Sequence, residues 1–422
     1  MPPSSPHIHQ AVDHLFRHES GKMIAVLTKL LGLQHLELAQ DMVQDSLLQA
    51  MNTWPYKGMP DNPAAWLYRA AHNRAIDYLR REKRWVAIAP QYAHFQDAAC
   101  TLTADSLFGE QEIEDSLLRM LFACCHPCIS VEAQLALALK TLCGLSHAEI
   151  ARAFLTNEET IAKRIYRARE KMRVEQVELK LPPPFQLQTR LHAVLHCLYL
   201  LFNEGYNAAH PDRLIREELC EEAMRLTYLL TQHPYTALPR THALLALFCF
   251  QASRLKARLD DKGHIILLPQ QDRMLWHRPL IEKGFAYLEA AAEPFELSAY
   301  HLEAGIASLH AAAPSFEQTN WNAIYQLYEA LYNLQPGPVV LLNKAIAAAY
   351  AIHPQEALAQ LQAIKELDQF YLYHTAVGEM YFLLQHKEEA LSRYQKALQL
   401  TTSGPEQQLI HSKIEQCNAV VC

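Results

Sequence analysis

At 422 residues and 48.1 kDa the chain exceeds what one hydrophobic core organises, so two to four domains are expected. Half of its residues are apolar, only 12 are glycine, and extended runs of Val, Ile and Thr are missing, which predicts an all-α fold and excludes a sheet-based one. A net charge of −7 and a pI near 6.3 exclude a chain that is basic throughout, so any nucleic-acid binding has to come from local basic faces.

No stretch approaches the roughly 20 apolar residues that span a bilayer, and the opening Met1-Pro2-Pro3-Ser4-Ser5-Pro6 lacks the regions of a signal peptide. A cytoplasmic protein without a membrane partner is expected. The ten cysteines are scattered, and Cys197, Cys220 and Cys249 sit in apolar helical surroundings, so reduced thiols are the default.

From about His9 to Trp85 the pattern is helical, with a break over residues 54–63 that reads as a loop. Ahead of it, residues 41–50 form an acidic amphipathic helix. Behind it, residues 63–84 carry six cations (Arg69, Arg74, Arg80, Arg81, Lys83, Arg84) against Asp77 and Glu82, interleaved with Trp66, Tyr68, Tyr78 and, just beyond, Trp85. Single-stranded DNA binding calls for that combination, because cations follow the backbone while rings stack on unpaired bases. The loop is placed to form a pocket for extruded bases. The alternative is that Trp66 and Tyr78 are core residues, and for Trp66 that reading is at least as strong. Residues 86–111 follow with Asp97, Asp105 and Glu110 and no Lys or Arg, an acidic linker.

Between Ile113 and Arg173 three helical patterns follow one another, broken at Gly144 and at Leu155-Thr156-Asn157. Ser146 with Glu149 three residues on is a capping box that starts a short helix. In the next helix Ile161, Ile165, Ala168 and Met172 make a buried stripe. Thr160, Lys163, Arg164 and Arg167 fall on the opposite face at i, i+3, i+4 and i+7, as a recognition helix in the major groove requires. The alternative is a solvated basic helix.

Leu181-Pro182-Pro183-Pro184 ends this domain, and from Phe185 helices alternate with turns at Gly205, Pro234, Pro269, Pro294, Pro314, Pro336-Gly337-Pro338 and Pro354. Near the end, Gly378, Tyr381, Ala390, Tyr394 and Ala397 fit the small and aromatic positions of a 34-residue two-helix repeat. Residues 339–367 keep Ala347, Ala357 and Leu361 near equivalent positions as a degenerate second copy. Asn203, Glu204, Asp272, Arg273, His310, Trp321 and Asn343 either line a groove or form buried polar pairs between helices.

Cys124-Cys125-His126-Pro127-Cys128 has the wrong spacing for zinc and no partner pair, although Cys124 and Cys128 one turn apart could be redox-sensitive. His7-Ile8-His9 lies in a Pro- and Ser-rich end expected to be disordered. No glycine-rich phosphate loop, nucleophile turn or H-E-x-x-H appears, so no enzyme activity, cofactor or metal is expected.

The order D-x-V-Q-D at Asp41 to Asp45, then P-A-A-W-L-Y-R-A-A-H-N-R-A-I-D-Y-L-R-R from Pro63, resembles region 2 of the extracytoplasmic-function sigma factors, and the helix-turn-helix resembles their region 4. Segments such as Leu268 to Trp276 resemble the subgroup with a fused tetratricopeptide-like C-terminal domain. The resemblance implies a region 2 helical bundle (residues 1–85), the linker (86–111), a region 4 helix-turn-helix domain (112–180) and a helical repeat domain (185–422). It implies an alternative sigma factor that binds core RNA polymerase through Asp41, Gln44, Asp45 and Leu48. Asn62, Trp66, Arg69, Arg74, Arg80, Arg81 and Arg84 would hold the minus-ten element and its melted non-template strand. Thr160, Lys163, Arg164, Arg167 and Arg169 would read the duplex minus-thirty-five element. The linker's carboxylates would imitate nucleic acid in the polymerase's RNA channel. The C-terminal domain would take the place of a separate anti-sigma regulator, with a peptide, protein or small molecule as ligand. A stand-alone helix-turn-helix regulator with a ligand-sensing repeat domain is the alternative.

Overall fold

The computed structural model describes residues 5–86, 103–154, 156–207, 215–293 and 296–419. Most of the acidic linker, the turn at Pro294, Leu155 and the side chain of Arg84 lie outside them. Among the described residues the protein is all-α, with short 3-10 turns and an isolated antiparallel bridge between Leu259 and Ile265. It divides into two compact units, Met1–Leu201 and Phe202–Cys422.

The first unit opens with α1 (Ser5–Leu31), so His7 and His9 lie on a helix and not in a disordered end. Gly32, at φ +92°, turns the chain into α2 (Leu36–Lys57). The expected loop is shorter than its proline and glycine content suggested, because α2 runs through Pro55 to Lys57 and closes on Gly58, whose N–H reaches the carbonyl of Trp54. Trp54 is 1% exposed and meets Trp66 edge to face, ring centres 5.5 Å apart. Burying an indole of about 200 Å² contributes on the order of 5 kcal/mol, against roughly 3 kcal/mol for a proline within a helix. Packing therefore carries the last turn past the proline.

Helix α3 (Pro63–Val86) starts where Asn62 accepts the N–H of Ala65 at 3.0 Å, with Pro63 at the position that needs no donor. After α4 (Ala104–Leu107) come four helices in place of the expected three: α5 (Glu110–Cys124), α6 (Val131–Thr141), α7 (His147–Ala153) and α8 (Glu158–Val174). The additional break lies at residues 125–130, where Ser130 caps α6 by accepting the N–H of Ala133. The capping box forms as read: Ser146 N–H donates to Glu149 at 2.8 Å and Glu149 N–H to the Ser146 hydroxyl at 3.1 Å. Ile161, Ile165, Ala168 and Met172 are buried along α8.

Helix α9 (Pro184–Tyr206) takes its first residue from the proline run, and its part up to Leu201 belongs to the first unit. There Leu191, Val194, Leu195 and Leu198 are buried, and Arg190 donates to the carbonyl of Phe122 on α5. Gly205 lies inside α9 and not at a turn. A Cβ there would come within 2.8 Å of the Arg216 carbonyl and of Cys220, so glycine permits a close approach between helices.

In the second unit the chain forms α10 (Glu217–Gln232), α11 (Pro239–Ser253), α12 (Arg278–Ala290), α13 (Ala299–Ala312), α14 (Trp321–Leu334), α15 (Pro338–Ala351), α16 (Pro354–Gln362), α17 (Tyr371–Leu383), α18 (Lys387–Leu400) and α19 (Gly404–Ala419). Pro234, Pro314 and Pro336 fall between helices, Pro269 lies in a 3-10 turn (Leu268–Gln270), and Pro338 and Pro354 begin helices. Gly378 on α17 faces Tyr394 on α18, a Cβ there lying 2.7 Å from the ring. Ala390, Tyr394 and Ala397 share one buried cluster with part of Tyr381, so the two-helix packing read from their spacing is present.

Candidate nucleic-acid and polymerase interface

On α8, Asn157 caps the helix by accepting the N–H of Thr160 at 2.8 Å. One face then presents Thr160, Lys163, Arg164 and Arg167, which together with Lys171 border a groove of roughly 480 Å³ beside the start of α6. Lys163 pairs with Glu159 at 2.6 Å on the surface, where the pair is weak and easily exchanged. Arg164 is half-buried with its guanidinium 5.2 Å from the ring centre of Phe154. Arg167 is exposed. Lys171 was not singled out from the sequence, although it continues the same face one turn after Arg167.

Arg169 points elsewhere. It donates to Glu37 at 2.8 Å and to Gln40 at 2.6 Å, both on α2. A second link joins the same helical groups: Lys29 on α1 pairs with Glu112 at 2.7 Å and Asp115 at 2.6 Å on α5. Burial pulls the Lys29 amine down, but the two carboxylates outweigh it and hold it above its ordinary value. Burial likewise pushes Asp115 up, and Arg119 with Lys29 holds it below the usual carboxylate range. Gly21 on α1 lies so close to the carbonyl of Leu142 that a Cβ would collide with it.

The α2 and α3 residues expected to serve polymerase and DNA meet each other. Arg74 donates to the Asp45 carboxylate and carbonyl at 3.3 Å and to Gln49 at 3.1 Å. Asp41, Asp45, Arg74 and Arg81 border one groove of roughly 520 Å³. Gln44 is exposed, and Leu48 is 54% exposed, an apolar side chain facing solvent one turn after Asp45. Arg69 is exposed, Arg80 lies 3.9 Å from Asp77, and Arg81 donates to the Asp77 carbonyl at 3.3 Å. Asn62 serves as a helix cap.

The rings are largely engaged inside the protein. Trp66 packs on Trp54, Tyr68 stacks on Phe108 at 4.7 Å, and Tyr78 donates to Glu82 at 2.9 Å. Burial, with Glu82 behind it, raises the Tyr78 phenol. Among the described residues of this part, the ring most open for stacking is Tyr56, 89% exposed at the end of α2. Nothing in the sequence around Tyr56 sets it apart from the Pro- and Gly-rich residues that follow it.

Comparison with known proteins agrees with this layout. The description Sigma-70 region 2 matches residues 15–85, Sigma-70 region 4 matches residues 119–172, and a family of unknown function, DUF6596, matches residues 190–292. A cationic helix-turn-helix, with a basic helix beside an acidic one, in this order, defines a sigma-70-family factor, a class that binds RNA polymerase and promoter DNA. The chain belongs to one family with the uncharacterized protein R00370 of Rhizobium meliloti (strain 1021), being 37% identical over 389 residues that cover 92% of this chain and 91% of that protein. No solved structure matches it significantly. No described helix is long and apolar enough to cross a membrane, and no group of three or more metal-ligating side chains occurs among the described residues.

Proposed function

We propose that the chain is an extracytoplasmic-function sigma factor whose own C-terminal helical domain, of tetratricopeptide-like build, regulates it. Thr160, Lys163, Arg164 and Arg167 read the minus-thirty-five element. Arg69, Arg80 and Arg81, with Tyr56 as an added stacking ring, hold the melted minus-ten strand, and Asp41, Gln44, Asp45 and Leu48 dock on core polymerase. The observation that carries the reading is the α8 face, where a hydroxyl and three cations border one open groove. Arg and Lys there suit guanine edges and phosphates, while the acidic α2 face suits a basic protein partner.

Run-off transcription with purified core polymerase tests it, comparing the full chain with a chain ending at Asn207. Promoter-specific transcripts are expected from at least one, at different yields. Transcripts from neither would overturn the sigma assignment, and equal yields would overturn regulation by the second unit.

A further inference from the structure

One cluster in the second unit is electrostatically out of balance. Trp276 is 4% exposed, with the guanidinium carbon of Arg273 at 4.1 Å and that of Arg254 at 5.5 Å from its ring centre. Arg273 donates to the carbonyl of His310 through Nη1. Its Nη2, the Nε of Arg254, the indole nitrogen of Trp276 and the Nδ1 of His310 are all buried without a hydrogen-bond partner among the described residues.

The acids nearby are otherwise occupied. Asp272 accepts the N–H of Met274 at 2.8 Å, and Glu317, whose charge reaches Arg273, accepts from Ser315. A third guanidinium, Arg258, lies 3.8 Å from the ring centre of Tyr206 and donates to the Tyr206 carbonyl. The charge of Arg254 bears on both Arg258 and Arg273, adding repulsion to the cost of their burial. The three cations face carbonyls and rings, with no ion pair to any of them among the described residues and only the more distant Glu317 offsetting Arg273.

A guanidinium that lays its face on an aromatic ring keeps its edge of N–H donors for planar oxygens. Arg254 and Arg273 are half-buried as whole side chains, while the unpaired donors on them lie buried, so an acceptor has to enter among these side chains to meet them. We infer that Arg254, Arg273 and Trp276 form a binding site for an oxyanion, the phosphate or carboxylate group of a small molecule. The unpaired donors of the two guanidiniums, Nη2 of Arg273 and Nε of Arg254, would meet the oxyanion, and the indole and imidazole nitrogens supply further polar contacts. The site gives the regulatory reading above a ligand chemistry, and only the transcription arm of its test rests on that reading.

Calorimetric titration of the full chain with inorganic phosphate, and separately with succinate, tests the site and separates the two oxyanions. Saturable binding of one of them is expected, weakened at least about tenfold by Arg254→Gln with Arg273→Gln. Arg273→Lys, which keeps the charge and loses the fork, should weaken it by less and guards against a double variant that fails to fold. No saturable binding of either anion, or affinity unchanged in Arg273→Lys and the double variant alike, would overturn the inference. Run-off transcription with the bound anion added then reads regulation alone: an unchanged yield with binding intact removes the regulatory reading and leaves the site standing.

Discussion

Arg164 and Arg167 lie three residues apart on one face of α8 and are held differently. Arg164 rests on Phe154, whereas Arg167 extends into solvent, so Arg167→Ala removes donors without touching packing. It should weaken promoter binding of the reconstituted polymerase by about 1–3 kcal/mol for a lost base contact, with an unchanged melting temperature. Arg164→Ala should lower both. A minus-thirty-five-dependent transcription assay beside thermal unfolding checks the contrast. Periodicity assigned these side chains to a face, but it could not show that Arg169 is turned to Glu37 or Arg74 to Asp45, because partners distant in sequence leave no local signal. His310 offers a different measurement. Burial, reinforced by Arg254 and Arg273, depresses it to about 3, while an unfolded histidine titrates near 6.5. Below that value the unfolded chain binds a proton that the folded chain refuses, so stability falls as pH drops, by about 1.4 kcal/mol per pH unit from this group. Urea midpoints at pH 7 and pH 5 should differ less in His310→Gln than in the parent.

At the level of helices, what was legible is what local chemistry decides. The buried stripe of α8 and the capping box of α7 follow from spacing and from short polar side chains, and both form as read. Three features were not legible: the passage of α2 through Pro55, the break after Cys124, and Gly205 inside α9. Tertiary packing settles the first and the last against a residue's usual preference, whereas the break after Cys124 is local, made by Pro127 and the Ser130 cap. The close approach of α17 and α18 gives a direct test. Tyr394 is 1% exposed, donates to Glu379 at 3.0 Å and lies under the Lys413 amine, so its ring has little room to yield to a methyl at Gly378. Gly378→Ala should cost about 1–3 kcal/mol. Gly305→Ala, whose Cβ would meet only the Leu327 side chain at 3.4 Å, should cost far less in the same unfolding experiment.

Across the whole molecule, the proline run at Leu181 was the strongest boundary signal, yet the first unit extends to Leu201. Prolines at 182–184 mark where a helix cannot continue, but not which core the next helix joins. Arg190 and Cys197 return to α5 and its end, where Cys197 hydrogen-bonds Cys125, the residue that closes the helix, and, with burial, raises that thiol well above its ordinary value. A chain ending at Leu181 should therefore melt at lower temperature than one ending at Asn207, with the apolar face of α5 uncovered.

The ties of Arg169 to Glu37 and Gln40, and of Lys29 to Glu112 and Asp115, constrain how such a chain could engage a promoter. On the proposed assignment the minus-ten and minus-thirty-five elements, about 25 base pairs apart by their names, lie roughly 85 Å apart along the duplex at about 3.4 Å per base pair, so helices in hydrogen-bond contact could not occupy both. Opening would exchange carboxylate oxygens for phosphate oxygens around the same cations. Added salt then acts with two signs, loosening the latch by screening and weakening the grip on DNA through counterion release. Transcription across a salt series should pass through a maximum, and Arg169→Ala should shift that maximum to lower ionic strength.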